Sequence, residues 1–251
     1  MIELRNYSVS IAGKSIIKDI NLLIDDGKSM SVIGVSGAGK SVTFRSALGL
    51  IYNAQIDGEI YYKGERVKTL KDKLKNEIGY ITQDVQNSLN PYIKVIDQMT
   101  SDLVFAKGIS KAEAKEKALE SLEAIGISKD KAKKYPDEFS GGMQQRVVIA
   151  MILNRGPELL IADEISSALD RESTDMAINM IKNHMDKNKM SLIYITHNPS
   201  DGIALTDRIC VFKDGRIIEN RASDEIFESE EENTKLLLDA AGKIYGKNFR
   251  D

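Results

Sequence analysis

The sequence predicts an α/β chain, a mostly parallel sheet with an antiparallel β region at its N-terminal side and a helical insertion. Three observations predict it. A short apolar run, SMSVIGV, feeds a glycine-rich turn and then a helical pattern. From Ile93 to Arg155 the periodicity is helical and strongly charged. After Gly156-Pro157 the chain returns to strand and helix in alternation, which is how parallel sheets are wound.

In order, Ile2 and Leu4 alternate with polar positions, and Ile20, Leu22 and Ile24 repeat the pattern, so residues 1–35 read as strands. A helix should follow Gly39 through Ser41, Phe44 and Leu48. EIYYKGERV reads as a hairpin turning at Lys63-Gly64, and EIGYIT as another strand. Beyond Gln83 the clearest helix is SKAEAKEKALESLEAIG, with Ser110 and Glu113 as a capping box, Ala118, Leu122 and Ile125 on one face, and Gly126 as the stop. Pro136 ends a lysine-rich segment. ELLIAD, a helix carrying Ile178, Ile181 and Met185, SLIYIT and then RICVFKDGRII complete the alternation. The tail from Arg221 is acidic, then weakly amphipathic around Leu236 to Leu238. The expected division is a core of residues 1–83 and 156–220, a helical subdomain over 84–155 and a tail over 221–251.

Bulk properties exclude several classes. With 251 residues, 42% hydrophobic and 29% charged, the chain has an ordinary globular composition. A net charge of −3 gives no global pull toward nucleic acid, so no nucleic-acid partner is expected. The longest apolar run, Val147 to Leu153, is far short of the ~20 residues of a membrane span. MIELRNYSV lacks the charged and apolar regions of a secretory signal. Cys210 is the sole cysteine, which rules out an internal disulfide and any all-cysteine cluster. A cytosolic protein is expected, reaching a membrane only through a partner.

Residues 34–41 read GVSGAGKS, the phosphate-loop pattern between an apolar strand and a helix. Glycines let backbone N–H groups close around phosphate oxygens, and the helix adds its positive N-terminus. Gly34, Val35, Ser36, Gly37, Ala38, Gly39, Lys40, Ser41 and Val42 are therefore candidate nucleotide-binding residues. Lys40 would neutralise the outer phosphates and the Ser41 hydroxyl would ligate Mg²⁺. LLIADE places Asp163 and Glu164 at the carboxyl end of a buried strand, where such sheets hold ligands. Asp163 suits the Mg²⁺ surroundings, and Glu164 can polarise an attacking water. SGGMQQR, residues 140–146, opens an apolar helix with a serine and two glycines, a second anion-binding end formed by Ser140, Gly141, Gly142 and Gln144. Two such ends on one chain suggest two chains meeting head to tail.

These motifs resemble the ATP-binding subunits of ABC transporters over nearly the whole chain. SGGMQQR matches that family's signature motif, ITQDV supplies Gln83 as the Q-loop glutamine, SALD ending at Asp170 matches the D-loop, and YITHN supplies His197 as the switch histidine. QDVQNSLNP and YPDEFSGGMQQRVVIAMIL look like the peptide and nickel importer branch. The resemblance implies a P-loop NTPase core binding ATP and Mg²⁺, with Lys40, Gln83, Glu164 and His197 catalytic and Ser41, Gln83 and Asp163 near the metal. It further implies transmembrane permease subunits, a second identical or homologous ATPase subunit, an external solute-binding protein, and a peripheral place on the cytoplasmic face of the membrane. The alternatives are a non-transport ABC ATPase and a nucleotide-binding regulatory subunit without turnover. Retention of Lys40, Glu164 and His197 argues against the second, and the lack of long coiled-coil insertions or a second cassette against the first.

The chain departs from the family pattern in places. Ile165 stands where proline is usual, and Asn198 where aspartate commonly follows the histidine. Ile11 falls where many members stack an aromatic ring on adenine, with Tyr7 further back on the same strand face. The cysteine-rich tail of some peptide importers is missing, so no cluster is expected. His184, Met185 and Met190 read as core filler rather than a metal site, Lys129 to Lys134 as a solvated helix face, and Glu228 to Glu232 as an exposed acidic turn.

Overall fold

A computed structural model describes residues 1–84, 88–165 and 171–245. The strands are β1 (Ile2–Ile11), β2 (Lys14–Ile24), β3 (Ser29–Ile33), β4 (Ala54–Tyr62), β5 (Glu65–Val67), β6 (Ile78–Ile81), β7 (Leu159–Asp163), β8 (Ser191–Ile195), β9 (Arg208–Lys213) and β10 (Arg216–Ala222). The helices are α1 (Lys40–Ala47), α2 (Val95–Lys107), α3 (Lys111–Ala124), α4 (Lys129–Ala132), α5 (Gly141–Asn154), α6 (Arg171–Asn188), α7 (Pro199–Leu205) and α8 (Glu232–Tyr245).

The chain divides into two units, one formed by Met1–Leu74, Ile161–Glu164 and Ser191–Asp251, the other by Lys75–Leu160 and Ile165–Met190. These limits differ from the expected 83/84 and 155/156 breaks. The reason is packing around α5. A Cβ on Gly79 of β6 would come 2.6 Å from Ile152 of α5, and one on Gly142 of α5 would come 2.4 Å from the Ser173 hydroxyl of α6. Both β6 and α6 therefore cluster with the helices.

The first unit holds two sheets. One is antiparallel, in the order β2-β1-β4-β5. Its β4–β5 hairpin turns at Lys63 and Gly64, both at positive φ, 50° and 79°. In the other sheet β10-β9-β3-β8-β7 are neighbours. Strand β3 runs parallel to β8 and to β9, with Val32 opposite Ile195 and Cys210. Every residue of β3, β7 and β8 is buried, the pattern of strands covered on both faces. RICVFKDGRII is not one strand but the antiparallel pair β9 and β10, turning at Asp214-Gly215.

The tail is part of this unit rather than an appendage. Ile226 and Leu238 join Ile33, Ile209 and Val211 in one buried cluster. The Glu219 carboxylate on β10 accepts hydrogen bonds from Ser229 and Thr234, each at 2.6 Å, and pairs with Arg221 at 3.0 Å. Those bonds stitch the start of α8 to the sheet.

In the second unit, Ser110 caps α3 by accepting the Glu113 N–H, while the Glu113 carboxylate pairs with Lys117 at 2.8 Å instead of closing the capping box. Ala114, Ala118 and Leu122 bury the inner face of α3. Arg155 forks onto Asp102 of α2 at 2.9 and 2.5 Å. The side chains of the Lys129 to Lys134 segment are exposed apart from Ala132. His184 is half-buried, and burial, then Lys107 and Lys187, hold its imidazole below the usual range. Cys210 is buried, which pushes its thiol up. Among the described residues no group of three or more His, Cys, Asp or Glu side chains is placed to hold a metal, and no helix is long and apolar enough to cross a membrane.

Candidate functional site

The site lies at the carboxyl ends of β3, β7 and β8, inside the first unit. Strand β3 delivers the chain into residues 34–39, and α1 begins at Lys40. Gly34 has φ +153°, and a Cβ there would lie 2.4 Å from the Phe212 carbonyl oxygen, so the loop can leave the sheet only with glycine at this point. Val35, Ser36 and Gly37 are exposed, whereas Ala38, Gly39 and Lys40 are buried. The Lys40 ammonium donates to the carbonyls of Gly34 at 2.8 Å and Val35 at 3.1 Å, folding over the mouth of the loop. Burial pulls its pKa down, opposed by the nearby Glu164 and Asp163 carboxylates.

Ser41, one residue into the helix, donates its hydroxyl to Asp163 Oδ1 at 2.6 Å. A hydroxyl and a buried carboxylate side by side are hard oxygen donors of the kind Mg²⁺ takes, so these residues fit that ion. Glu164 follows with φ +50°, an uncommon conformation for glutamate, and its N–H donates to the Ile195 carbonyl at 2.8 Å. Its carboxylate reaches both ways, 3.9 Å from Lys40 Nζ and 3.9 Å from His197 Nδ1. The His197 side chain is 54% exposed and so accessible to a ligand. Asn198 caps α7 by accepting the Ser200 N–H at 3.1 Å, a task that asparagine performs as well as aspartate. Ile165 is buried and its carbonyl accepts from the Gln145 amide.

The remaining candidates lie elsewhere. Ile11 ends β1 and is half-buried. Tyr7 is fully buried, its hydroxyl 2.9 Å from Ser46 Oγ, so it packs inside the unit and is not available to a base. In the second unit Gln83 is exposed just past β6. Ser140 caps α5 by accepting the Met143 N–H, with Gly141 and Gly142 in the first turn. Gln144, expected among the nucleotide contacts, donates within its own unit to the carbonyls of Pro136 at 2.9 Å and Phe139 at 3.3 Å. It holds the turn entering the helix. The SALD motif with Asp170 lies outside the described residues. Sequence reasoning missed two features, the Gln145 contact and the β9–β10 turn, which lies directly behind the phosphate loop. The Asp-Gly pair was the available signal for the turn.

A glycine loop between a buried strand and a helix, backed by a strand-end carboxylate pair, defines a P-loop nucleotide-binding domain. Residues 17–167 match the family model described as ABC transporter, and the chain belongs to that family. Its relatives include the oligopeptide transport ATP-binding protein OppD of Bacillus subtilis, 40% identical over 84% of this chain and 62% of that protein. Another is the dipeptide transport ATP-binding protein DppD of Lactococcus lactis, 34% identical over 88% of this chain and 66% of the relative. The chain thus spans less than two thirds of these relatives' length. Among solved structures, a dimeric ATP-binding cassette in a post-hydrolysis state bound to ADP and Pi superposes with a TM-score of 0.77 at 26% identity, covering 89% of this chain and 99% of that one. The fold is shared as well with cbiO1 from Clostridium perfringens, part of the ABC transporter complex cbiONQ, at a TM-score of 0.79 and 23% identity over 97% and 95% of the two chains.

Proposed function

We propose that this chain hydrolyses ATP to drive peptide uptake through transmembrane permease subunits, working as a peripheral subunit on the cytoplasmic face of the membrane. An external solute-binding protein delivers the cargo to those permeases. The nucleotide sits between the phosphate loop of one cassette and Ser140, Gly141 and Gly142 of a second, identical or homologous, cassette. The observation that carries the reading is the convergence of Lys40, Ser41, Asp163, Glu164 and His197 at one end of the parallel sheet. The peptide cargo is supported by the names of the relatives, oligopeptide and dipeptide transport proteins.

The residues divide the chemistry between them. Loop amides and Lys40 hold and neutralise the β and γ phosphates, while Ser41 and Asp163 would hold Mg²⁺. When bound, the ion neutralises charge on the phosphate oxygens and keeps them oriented. Glu164 accepts a hydrogen bond from the attacking water and takes its proton as the water oxygen bonds to the γ-phosphorus and the bond to the β,γ-bridging oxygen breaks. His197, within reach of the same carboxylate, steadies the γ-phosphate. Gln83, just past β6 in the second unit, relays nucleotide state to the permease.

Glu164→Gln is the decisive variant. It keeps the nucleotide contacts and removes the base, so ATP and Mg²⁺ should trap a dimer without turnover. Light scattering on the variant, alone and with a homologous subunit, reads this directly. A mass that never exceeds the monomer would sink the composite-site reading. Undiminished steady-state hydrolysis in the reconstituted transporter would remove Glu164 from its role, and failure of that transporter to accumulate labelled peptide would remove the cargo assignment.

A further inference from the structure

We infer that Gly215, in the β9–β10 turn, is a positioning residue that aims the Gly39 N–H into the phosphate cradle. The inference rests on the nucleotide reading of residues 34–41. The Gly215 N–H donates to the Ala38 carbonyl at 3.0 Å, and the Gly215 carbonyl accepts from the Lys18 N–H of β2 at 2.8 Å. One residue is therefore tied on one side to the sheet and on the other to the loop.

The consequence follows from peptide geometry. The Ala38 C=O and the Gly39 N–H belong to one planar trans unit and point in opposite directions. Fixing the carbonyl toward the back of the loop turns the N–H toward its mouth. Neighbouring groups in the loop are already used. The Ala38 N–H donates to Val35, and the Gly39 carbonyl accepts from the Thr43 N–H and hydroxyl. Among the described residues no protein acceptor takes the Gly39 N–H, which leaves it for an anion.

The turn has no room to do otherwise. Asp214 and Gly215 lie at φ +50° and +77°, as a two-residue hairpin turn of this hand requires. A Cβ on Gly215 would fall 2.0 Å from the Ile16 carbonyl oxygen, so any side chain drives the turn away from the loop. The loop's conformation is thus supplied from behind, by a hairpin more than 170 residues along the chain, before any ligand arrives. Such preorganisation spares the ligand the cost of ordering the amides.

The test uses the full chain labelled with ¹⁵N-glycine, with inorganic pyrophosphate and ATP as probes, both with Mg²⁺. In the wild type the Gly39 amide resonance should move on pyrophosphate binding. Gly215→Ala should weaken both probes about tenfold, the worth of one charge-assisted hydrogen bond, and abolish the Gly39 response. Gly64→Ala is the matched control. Gly64 has φ +79° with nothing within 4 Å of its missing Cβ, so it carries the same backbone strain without touching the loop and should bind as wild type. If Gly215→Ala does not fold, Asp214→Gly decides; by loosening the turn it should weaken both probes a few-fold and blunt the Gly39 shift. A folded Gly215→Ala or Asp214→Gly protein that binds pyrophosphate as tightly as wild type overturns the inference. So does a wild-type spectrum in which Gly37 moves and Gly39 stays still, which would leave the nucleotide reading intact. Absence of any binding by the wild type would overturn both.

Discussion

Replacing Tyr7 by phenylalanine should lower stability and leave ATP binding unchanged. The ring is fully buried and the hydroxyl lies 2.9 Å from Ser46 Oγ. Ser46 spends its own proton on the Thr43 carbonyl at 2.9 Å, so Tyr7 is the donor in this pair. Deleting that donor costs about 1 kcal/mol, the net worth of one buried hydrogen bond. Ser46→Ala should cost more, about 1–3 kcal/mol, because it strands the Tyr7 hydroxyl without an acceptor. The double variant should be less destabilised than the two single losses added together. Burial raises the Tyr7 phenol to about 12 from an ordinary 10, against the lowering effect of Ser46. The folded state therefore keeps this proton where the unfolded chain gives it up, and stability falls as pH rises from the unfolded value through the folded one. At a pH of about 11 the loss is roughly 1.4 kcal/mol, so the neutral-pH advantage of wild type over Tyr7→Phe should vanish there. Urea unfolding followed by circular dichroism, at about neutral pH and at about pH 11, measures both limbs. A Tyr7→Phe protein of unchanged stability would show that the hydroxyl is not held in the interior, and a Tyr7→Ala protein that folds but loses ATP preference over GTP would show that the ring faces the base.

Three further outcomes are expected. Ile11→Tyr should tighten ATP binding by up to about tenfold, since an aromatic at the end of β1 adds base stacking of roughly 1–3 kcal/mol; an unchanged titration would mean that the base lies elsewhere. Ala12→Asn should raise the thermal midpoint, with a gain of about 0.5–1 kcal/mol, because Ala12 and Gly13 form the β1–β2 turn at φ +49° and +76° and alanine resists that region; a lowered midpoint would refute the turn assignment. Arg155→Ala should cost about 2–3 kcal/mol by leaving the Asp102 carboxylate, 13% exposed, without its fork; Arg155→Lys should recover only part of this, and full recovery in chemical unfolding would show that geometry is unimportant.

The phosphate loop, the strand-end carboxylates and the capped helices were legible because each is a local pattern, readable within a few residues of itself. Tyr7 was not. Strict alternation puts it on one face with Ile11, but the register of β1 shifts on either side of Tyr7 and Asn6 sits at φ +47°, so the face is reset along the strand. The structural task of Gln144 was hidden for a related reason. Its place in the motif suggested a ligand contact, yet its amide answers the carbonyls of a turn five and eight residues back, which only the folded chain brings within reach. The limits of the two units were invisible too, since they depend on which faces α5 covers rather than on where composition changes. The β9–β10 turn shows the opposite case, a plain Asp-Gly signal whose importance appears only once Gly215 is seen behind Ala38.

The left-handed backbone at Glu164 sets two selective pressures against each other. Asparagine or glycine would relax that conformation, worth about 1 kcal/mol or more, while deleting the carboxylate between Lys40 and His197. Under the proposed role of Glu164, a change that relaxes the backbone at this position also removes the base. A library sorted for thermal endurance alone should fill with Glu164→Gly and Glu164→Asn, and the same library sorted for ATP hydrolysis should contain neither. On the proposed mechanism, Glu164 is where the chain holds a strained backbone for the sake of its chemistry.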